Sequence, residues 1–296
     1  MAPTNNISIA SDTLRTEISP LGAELVRLAS RGRDLQWDGD PAVWSGRAPL
    51  LFPIIGALAG GRYRLGDRHY ALPRHGFARH SLFERAEQTP SRAGFRLVAN
   101  PDTRAIYPFE FALDVVCEVS GAALSVTATV SNRGDGPMPA SFGFHPALRW
   151  PLPFGAARGG HLIRFAQDEP APIRRLDADG CLLAGALPSP VTGRDLALHD
   201  GLFTDDAVIF DRPASRRVVY GGPTGEAIAV SFPDMPQLGV WSKPGSGFVC
   251  IEPWHGHADP AGFTGDLFEK PGVVVIAPAA QRVFGMTIEV VAGLDA

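Results

Sequence analysis

Residues 109–133 place the tightest constraint on the fold. In FEFALDVVCEVS, Phe109, Phe111, Leu113, Val115, Cys117 and Val119 recur at every second position, and Gly121 follows. In ALSVTATVSNRG, Leu124, Val126, Ala128 and Val130 alternate with Ser125, Thr127, Thr129 and Ser131. A two-residue period puts apolar side chains on one face of an extended chain and polar ones on the other. Each segment therefore reads as a strand with one side on a core. With a glycine-bearing turn between them, they predict an antiparallel hairpin.

The same reading predicts strands at Ile7–Ala10, Thr13–Ile18, Glu24–Ser30, Arg62–Leu65, His69–Ala71, Gly94–Ala99, Ala207–Phe210, Arg217–Tyr220, Ala227–Phe232, Leu238–Trp241, Phe248–Pro253, Gly272–Ile276 and Gly285–Ala292. No helical period of ten or more residues interrupts them. The 27 prolines are spread along the chain and disfavour long helices. Many strands without alternating helices predict a mainly all-β fold, a large antiparallel sandwich with few short helices. No shift in composition marks a linker, so residues 1–296 are expected to form one domain, with 151–204 as a long excursion across one face.

Composition narrows the function. The net charge of −4 offers no basis for binding nucleic acid or an anionic membrane surface. No stretch approaches the roughly 20 apolar residues that cross a bilayer. The opening MAPTNNISIASDTLRTEISPLG lacks the unbroken apolar region of a secretory leader. Cys117, Cys181 and Cys250 are far apart and odd in number, so reduced thiols and a cytoplasmic setting are expected.

Three segments concentrate titratable and aromatic residues beside apolar strands: PRHGFARH at 73–80, SFGFHPALRW at 141–150 and VWSKPGSGFVCIEPWHGHAD at 240–259. Glu252, flanked by Ile251, Pro253 and Trp254, is placed for partial desolvation, which raises a carboxyl pKa and suits a base near neutral pH. The bland alternative is a structural carboxylate paired with an arginine. His145 precedes Pro146, which favours extended backbone, and histidine is the natural proton donor near pH 7. His75 lies between Arg74 and Arg79, whose charges favour a neutral, hydrogen-bonding imidazole. A fourth segment, WSGRAPLLFPIIG at 44–56, sets Arg47 before an apolar run. HGHAD at 255–259 invites a metal reading, but it follows Pro253 in a turn-rich stretch, and no metal is expected there.

Together PRHGFAR, FGFHPAL and CIEPW, in that order and separation, resemble the aldose 1-epimerase (galactose mutarotase) family, in its bacterial branch. The resemblance runs from about Leu21 to the C-terminus. It implies a β-sandwich of the galactose mutarotase-like type with an open sugar cleft, and interconversion of the α and β anomers of a hexose or related aldose. It implies Glu252 as general base, His145 as general acid, and His75 and Arg47 as substrate-binding residues. An acidic residue that binds hydroxyls is best matched by Asp206, with Asp205 and Asp211 as alternatives. Trp241 or Trp254 is suited to stack on a sugar face. Leu148 departs from the pattern, standing where an aromatic is common.

Ring opening needs a base at the C1 hydroxyl and an acid at the ring oxygen, expected on different sides of one small substrate. It needs no cofactor and no metal. The expected partner is a small-molecule sugar, with the chain a monomer or homodimer. The alternatives are a hexose-6-phosphate epimerase and a non-catalytic carbohydrate-binding protein on the same fold.

Overall fold

The computed structural model describes residues 5–296; the first four residues, which open the segment without a leader-like pattern, lie outside the described residues. The predicted hairpin forms from Phe111–Ser120 and Ala123–Asn132, antiparallel, with Phe111 opposite Asn132 and Ser120 opposite Ala123. Leu113, Val115, Leu124, Ala128 and Val130 on its apolar face are fully buried. Removing a Leu- or Val-sized side chain from water contributes about 1.5–3 kcal/mol each.

This hairpin is the middle of a nine-stranded antiparallel sheet. The order is Asp195–Ala197, Leu162–Phe165, Arg217–Gly221, Ala227–Ser231, Gln281–Val291, Ala123–Asn132, Phe111–Ser120, Arg92–Val98 and Glu84–Gln88. A second sheet, of six strands, runs Val208–Phe210, Gln237–Trp241, Phe248–His255, Phe142–Phe144 and Leu50–Leu51, with Ala147–Arg149 also paired to Phe248–His255. One buried cluster draws on both sheets: Leu113, Val126 and Ile288 from the first, and Phe142, Val240, Val249 and Ile251 from the second. The fold is the expected mainly antiparallel sandwich. The one α-helix among the described residues, Pro101–Ile106, is six residues long and begins at an Asn100–Thr103 capping box. No helix among the described residues is long and apolar enough to cross a membrane.

The stretch 151–204 departs from a simple excursion. Leu162–Phe165 and Asp195–Ala197 extend the nine-stranded sheet at one edge. The chain between them crosses to the other sheet, where Arg174 bridges Ile209 and Leu182 bridges Pro260.

Candidate active site

Strand register brings His145 and Glu252 together. Gly143 pairs with Trp254, and Ala147 pairs with Cys250. Counting inward from either pair sets His145 opposite Glu252, so the register is continuous across the break at 145–146. Neither Pro146 nor Pro253 has an N–H to give, which opens the ladder there. One backbone bond spans the gap, from the Ile251 N–H to the Pro146 carbonyl at 3.2 Å. Alternation does the rest. Val249 and Ile251 enter the core, while Glu252 and Trp254 face a cleft of about 190 Å³.

The imidazole Nε2 of His145 lies 3.1 Å from Glu252 Oε2, and both residues are buried. The acid and base candidates thus sit side by side, where different sides of a substrate were expected. Around them stands an aromatic wall. The Trp44 ring is 5.3 Å from the His145 ring, and that of Trp241 is 6.0 Å away. The floor is the Trp254 indole, which lies across the sheet over two glycines. A Cβ on Gly239 would come within 2.5 Å of this ring, and one on Gly143 within 2.8 Å. Both glycines are on strands flanking Trp254, so the indole lies flat only because these positions have no side chain.

A loop seats His75. Phe52 and Gly76 form a parallel bridge, so the LLFPIIG run and the PRHGFAR motif hold each other. A Cβ on Gly76 would sit 2.2 Å from the Phe52 carbonyl oxygen, and its φ of +71° also requires glycine. The Gly56 N–H donates to His75 Nδ1 at 3.1 Å, which makes Nδ1 the acceptor and leaves the proton on Nε2. The His75 and His145 rings meet edge-on at 5.8 Å.

Asp206 and Arg74 line the same cleft, 3.6 Å apart at their charged ends. Arg175 holds this corner by donating to the carbonyls of Asp206 and Leu202, both at 2.8 Å. His75 (φ +68°) and Asp206 (φ +63°) are two of the five described non-glycine residues with positive φ. Such strained backbone concentrates at functional sites.

Burial governs the protonation of the pair. Desolvation pushes the Glu252 carboxyl well above its ordinary range; nearby Asp206 adds to this, while Arg74 and the Trp254 indole oppose it. The Trp254 N–H completes no hydrogen bond, but its proximity favours the charged carboxylate. Desolvation also lowers the His145 imidazole, helped by Arg79 and Arg74. Both groups are driven toward their neutral forms, so the pair holds one proton. A shift of that proton across 3.1 Å converts acid and imidazole into carboxylate and imidazolium without exchange with solvent. His75 is held neutral by desolvation first, with His145, Arg79 and Arg74 adding.

The structure gathers His145, Glu252, His75, Asp206 and Trp241 in one cleft. It corrects Arg47, which lines a separate surface groove beside Glu24 and Asp38 and whose Nε donates to the Asp38 carbonyl at 2.7 Å. The guanidinium groups at the cleft belong to Arg74 and Arg79, which flank His75 in the sequence. Arg79 donates to the Arg74 carbonyl at 2.9 Å, and its Nε is buried without a partner. Asp211 pairs with Arg174 instead of facing the cleft. The HGHAD residues do not converge: Asp259 is bound by Lys270 at 2.6 Å, and His257 contacts the Ala258 carbonyl. Trp44 and Leu176 also line the cleft, and no strand period marks either.

A family model described as aldose 1-epimerase matches residues 5–266. The chain belongs to this family. Among relatives of this aldose 1-epimerase family member is the chromosomal LacX protein of Lactococcus lactis subsp. lactis, 30% identical over 95% of this chain and 99% of that one. A galactose mutarotase related enzyme from Lactobacillus acidophilus superposes with a TM-score of 0.89 at 28% identity, covering 98% of this chain and 99% of its own. A galactose mutarotase-like protein from Lactobacillus casei gives 0.90 at 27% identity, covering 97% and 100%.

Proposed function

We propose that this protein is an aldose 1-epimerase that interconverts the α and β anomers of a free aldose by general acid–base catalysis. The observation that carries this reading is the 3.1 Å contact between His145 and Glu252 on the floor of a sugar-sized cleft. The C1 hydroxyl oxygen and the ring oxygen of a cyclic aldose are bonded to the same carbon. An adjacent acid and base therefore suit them better than groups on opposite sides.

In the carboxylate–imidazolium form, Glu252 takes the proton from the C1 hydroxyl while His145 delivers one to the ring oxygen. The C1–ring oxygen bond breaks and the open-chain aldehyde forms. The pair now holds its proton on Glu252. Rotation about C1–C2 presents the other face of the carbonyl, and closure reverses both transfers, restoring the starting form. Neutral His75 donates through Nε2 toward substrate oxygens, and Asp206 with Arg74 binds hydroxyls at the rim. Trp241 and Trp44 shield the reacting centre from water and offer ring faces to the sugar.

The test is the decay of optical rotation after pure α-glucose or α-galactose is dissolved with catalytic protein. Acceleration over the spontaneous rate is expected. Arg74 and Arg79 also favour a second substrate, a phosphorylated hexose, so glucose 6-phosphate is assayed in parallel. Acceleration confined to the phosphate ester would move the assignment there. Saturable sugar binding with no acceleration would make the protein a carbohydrate binder.

A further inference from the structure

Alternation along Phe248–His255 puts Cys250 on the same face as Glu252, one step further along the strand. It lies opposite Ala147 on one side and Trp241 on the other. Its thiol is fully buried, packed with Trp37 and Phe248 and roofed by the partly buried Trp44 and Trp241. One donor atom each from His145, Cys250 and Glu252 lies within 4.8 Å of the other two. No other such group of three occurs among the described residues.

We infer that His145, Cys250 and Glu252 form a three-donor site for a thiophilic divalent cation of the zinc class. Sulfur, imidazole nitrogen and carboxylate oxygen are the donors such ions take. Tetrahedral ligands at ordinary zinc bond lengths stand about 3.5 Å apart, so the triad closes on an ion with small side-chain shifts. The fourth position opens to the cleft, where water or a sugar oxygen completes the shell. Hard ions such as magnesium prefer all-oxygen sites and are discriminated against. The strand register holds the ligands in place, in contrast to the dispersed HGHAD residues.

Binding forms sulfur–, nitrogen– and oxygen–metal bonds as two protons leave to solvent, the thiol proton and the one shared by His145 and Glu252, and it ties up the lone pairs of both acid and base. Resting on the mutarotase reading for this consequence alone, the occupied site is inhibited, and cation and sugar compete.

Cadmium serves as the probe, because its thiolate charge-transfer absorption reports Cys250 without any activity assay. Titration of the whole protein is expected to give one ion per chain with that band. Cys250→Ser is expected to lose the band. His145→Asn and Glu252→Gln, which keep the thiol, are expected to bind cadmium at least about tenfold more weakly. They carry the test alone if Cys250→Ser does not fold. A band that persists in Cys250→Ser would assign the ion to Cys117 or Cys181 and overturn the site, as would unchanged affinity in the other two variants. Zinc is expected to slow mutarotation, with relief by chelator and none of the effect from magnesium. If the protein accelerates no anomer exchange, the mutarotase reading fails while the cadmium arms still decide the site.

Discussion

Two carboxylates in this molecule are buried to the same depth, Glu169 and Glu252, each 1% exposed. Glu169 lies in the stretch that leaves the large sheet, and fixed backbone donors meet both its oxygens: the Ser215 N–H at 2.7 Å and the Ala214 N–H at 2.9 Å. Asp259 is similar, held by Lys270 at 2.6 Å and the Ala59 N–H at 2.9 Å. Glu252 has no such cradle. Its close partner is an imidazole that is itself driven neutral by burial. A cradled carboxylate has both oxygens engaged by fixed donors and stays put. One beside a neutral imidazole trades a proton with it, as acid–base chemistry requires. Depth alone does not separate structure from function here; the partners do.

The contrast breaks most sharply in kinetics. Glu252→Gln and His145→Asn are each expected to lower the rate of anomer exchange by about 10²–10⁴ at unchanged circular dichroism. Near-wild-type polarimetry in either variant would end the distinction drawn between the two carboxylates. Glu169→Ala should do the reverse. It leaves the buried Ser215 N–H and the more exposed Ala214 N–H without their acceptor, a loss of about 1–3 kcal/mol, or roughly 2–8 °C in Tm, with activity per folded molecule unchanged. A stability within 0.5 °C or so of wild type would contradict the cradle.

Gly239→Ala probes the floor beneath Glu252. Its new methyl meets the Trp254 ring, and the strain is expected to cost about 1–3 kcal/mol. Tilting the indole beside the base should lower kcat about tenfold while KM moves little. A raised KM at unchanged kcat would show that the ring only binds.

The smallest effect is in the pH dependence of stability. The folded Glu252 carboxyl titrates above its ordinary value near 4.5, so between those two values the folded state holds a proton that the unfolded state has released. The stabilisation from that proton is full below about pH 4.5 and is lost as pH rises through the folded value. Glutamine cannot titrate. Relative to wild type, Glu252→Gln should therefore gain stability as pH rises from 5 to 8. Urea melts at the two ends of that range read it directly, and parallel profiles would refute it.

Much of the fold was legible because it obeys a two-residue period. Phe111–Ser120 and Ala123–Asn132 carry the alternation that a one-sided sheet demands, while Ala227–Ser231 and Phe248–His255 stand out as short apolar runs buried on both faces. The elements with neither signal went unread. Phe142–Phe144 and Ala147–Arg149 are three residues each, too short for a period, and are defined by their partner strand. Glu84–Gln88 is exposed along its length at a sheet edge, so no apolar face marks it. In the site, the residue types of His145 and Glu252 were readable, but their side-by-side placement depends on register between strands over a hundred residues apart. Arg47 shows the limit from the other direction. Its place before an apolar run fixed where the backbone goes, while the choice of groove was made by the Asp38 carbonyl that its side chain meets.

The cleft face and the core face of Phe248–His255 are offset by a single residue, and that offset ties chemistry to folding. Losing or adding one amino acid within this strand would turn Val249 and Ile251 into the cleft and drive a carboxyl group into the hydrocarbon interior. Catalysis and stability would fail in the same event. The winding segment 166–194 carries no such coupling along most of its length, so changes of chain length across the protein's descent should accumulate there and be rare in the strand.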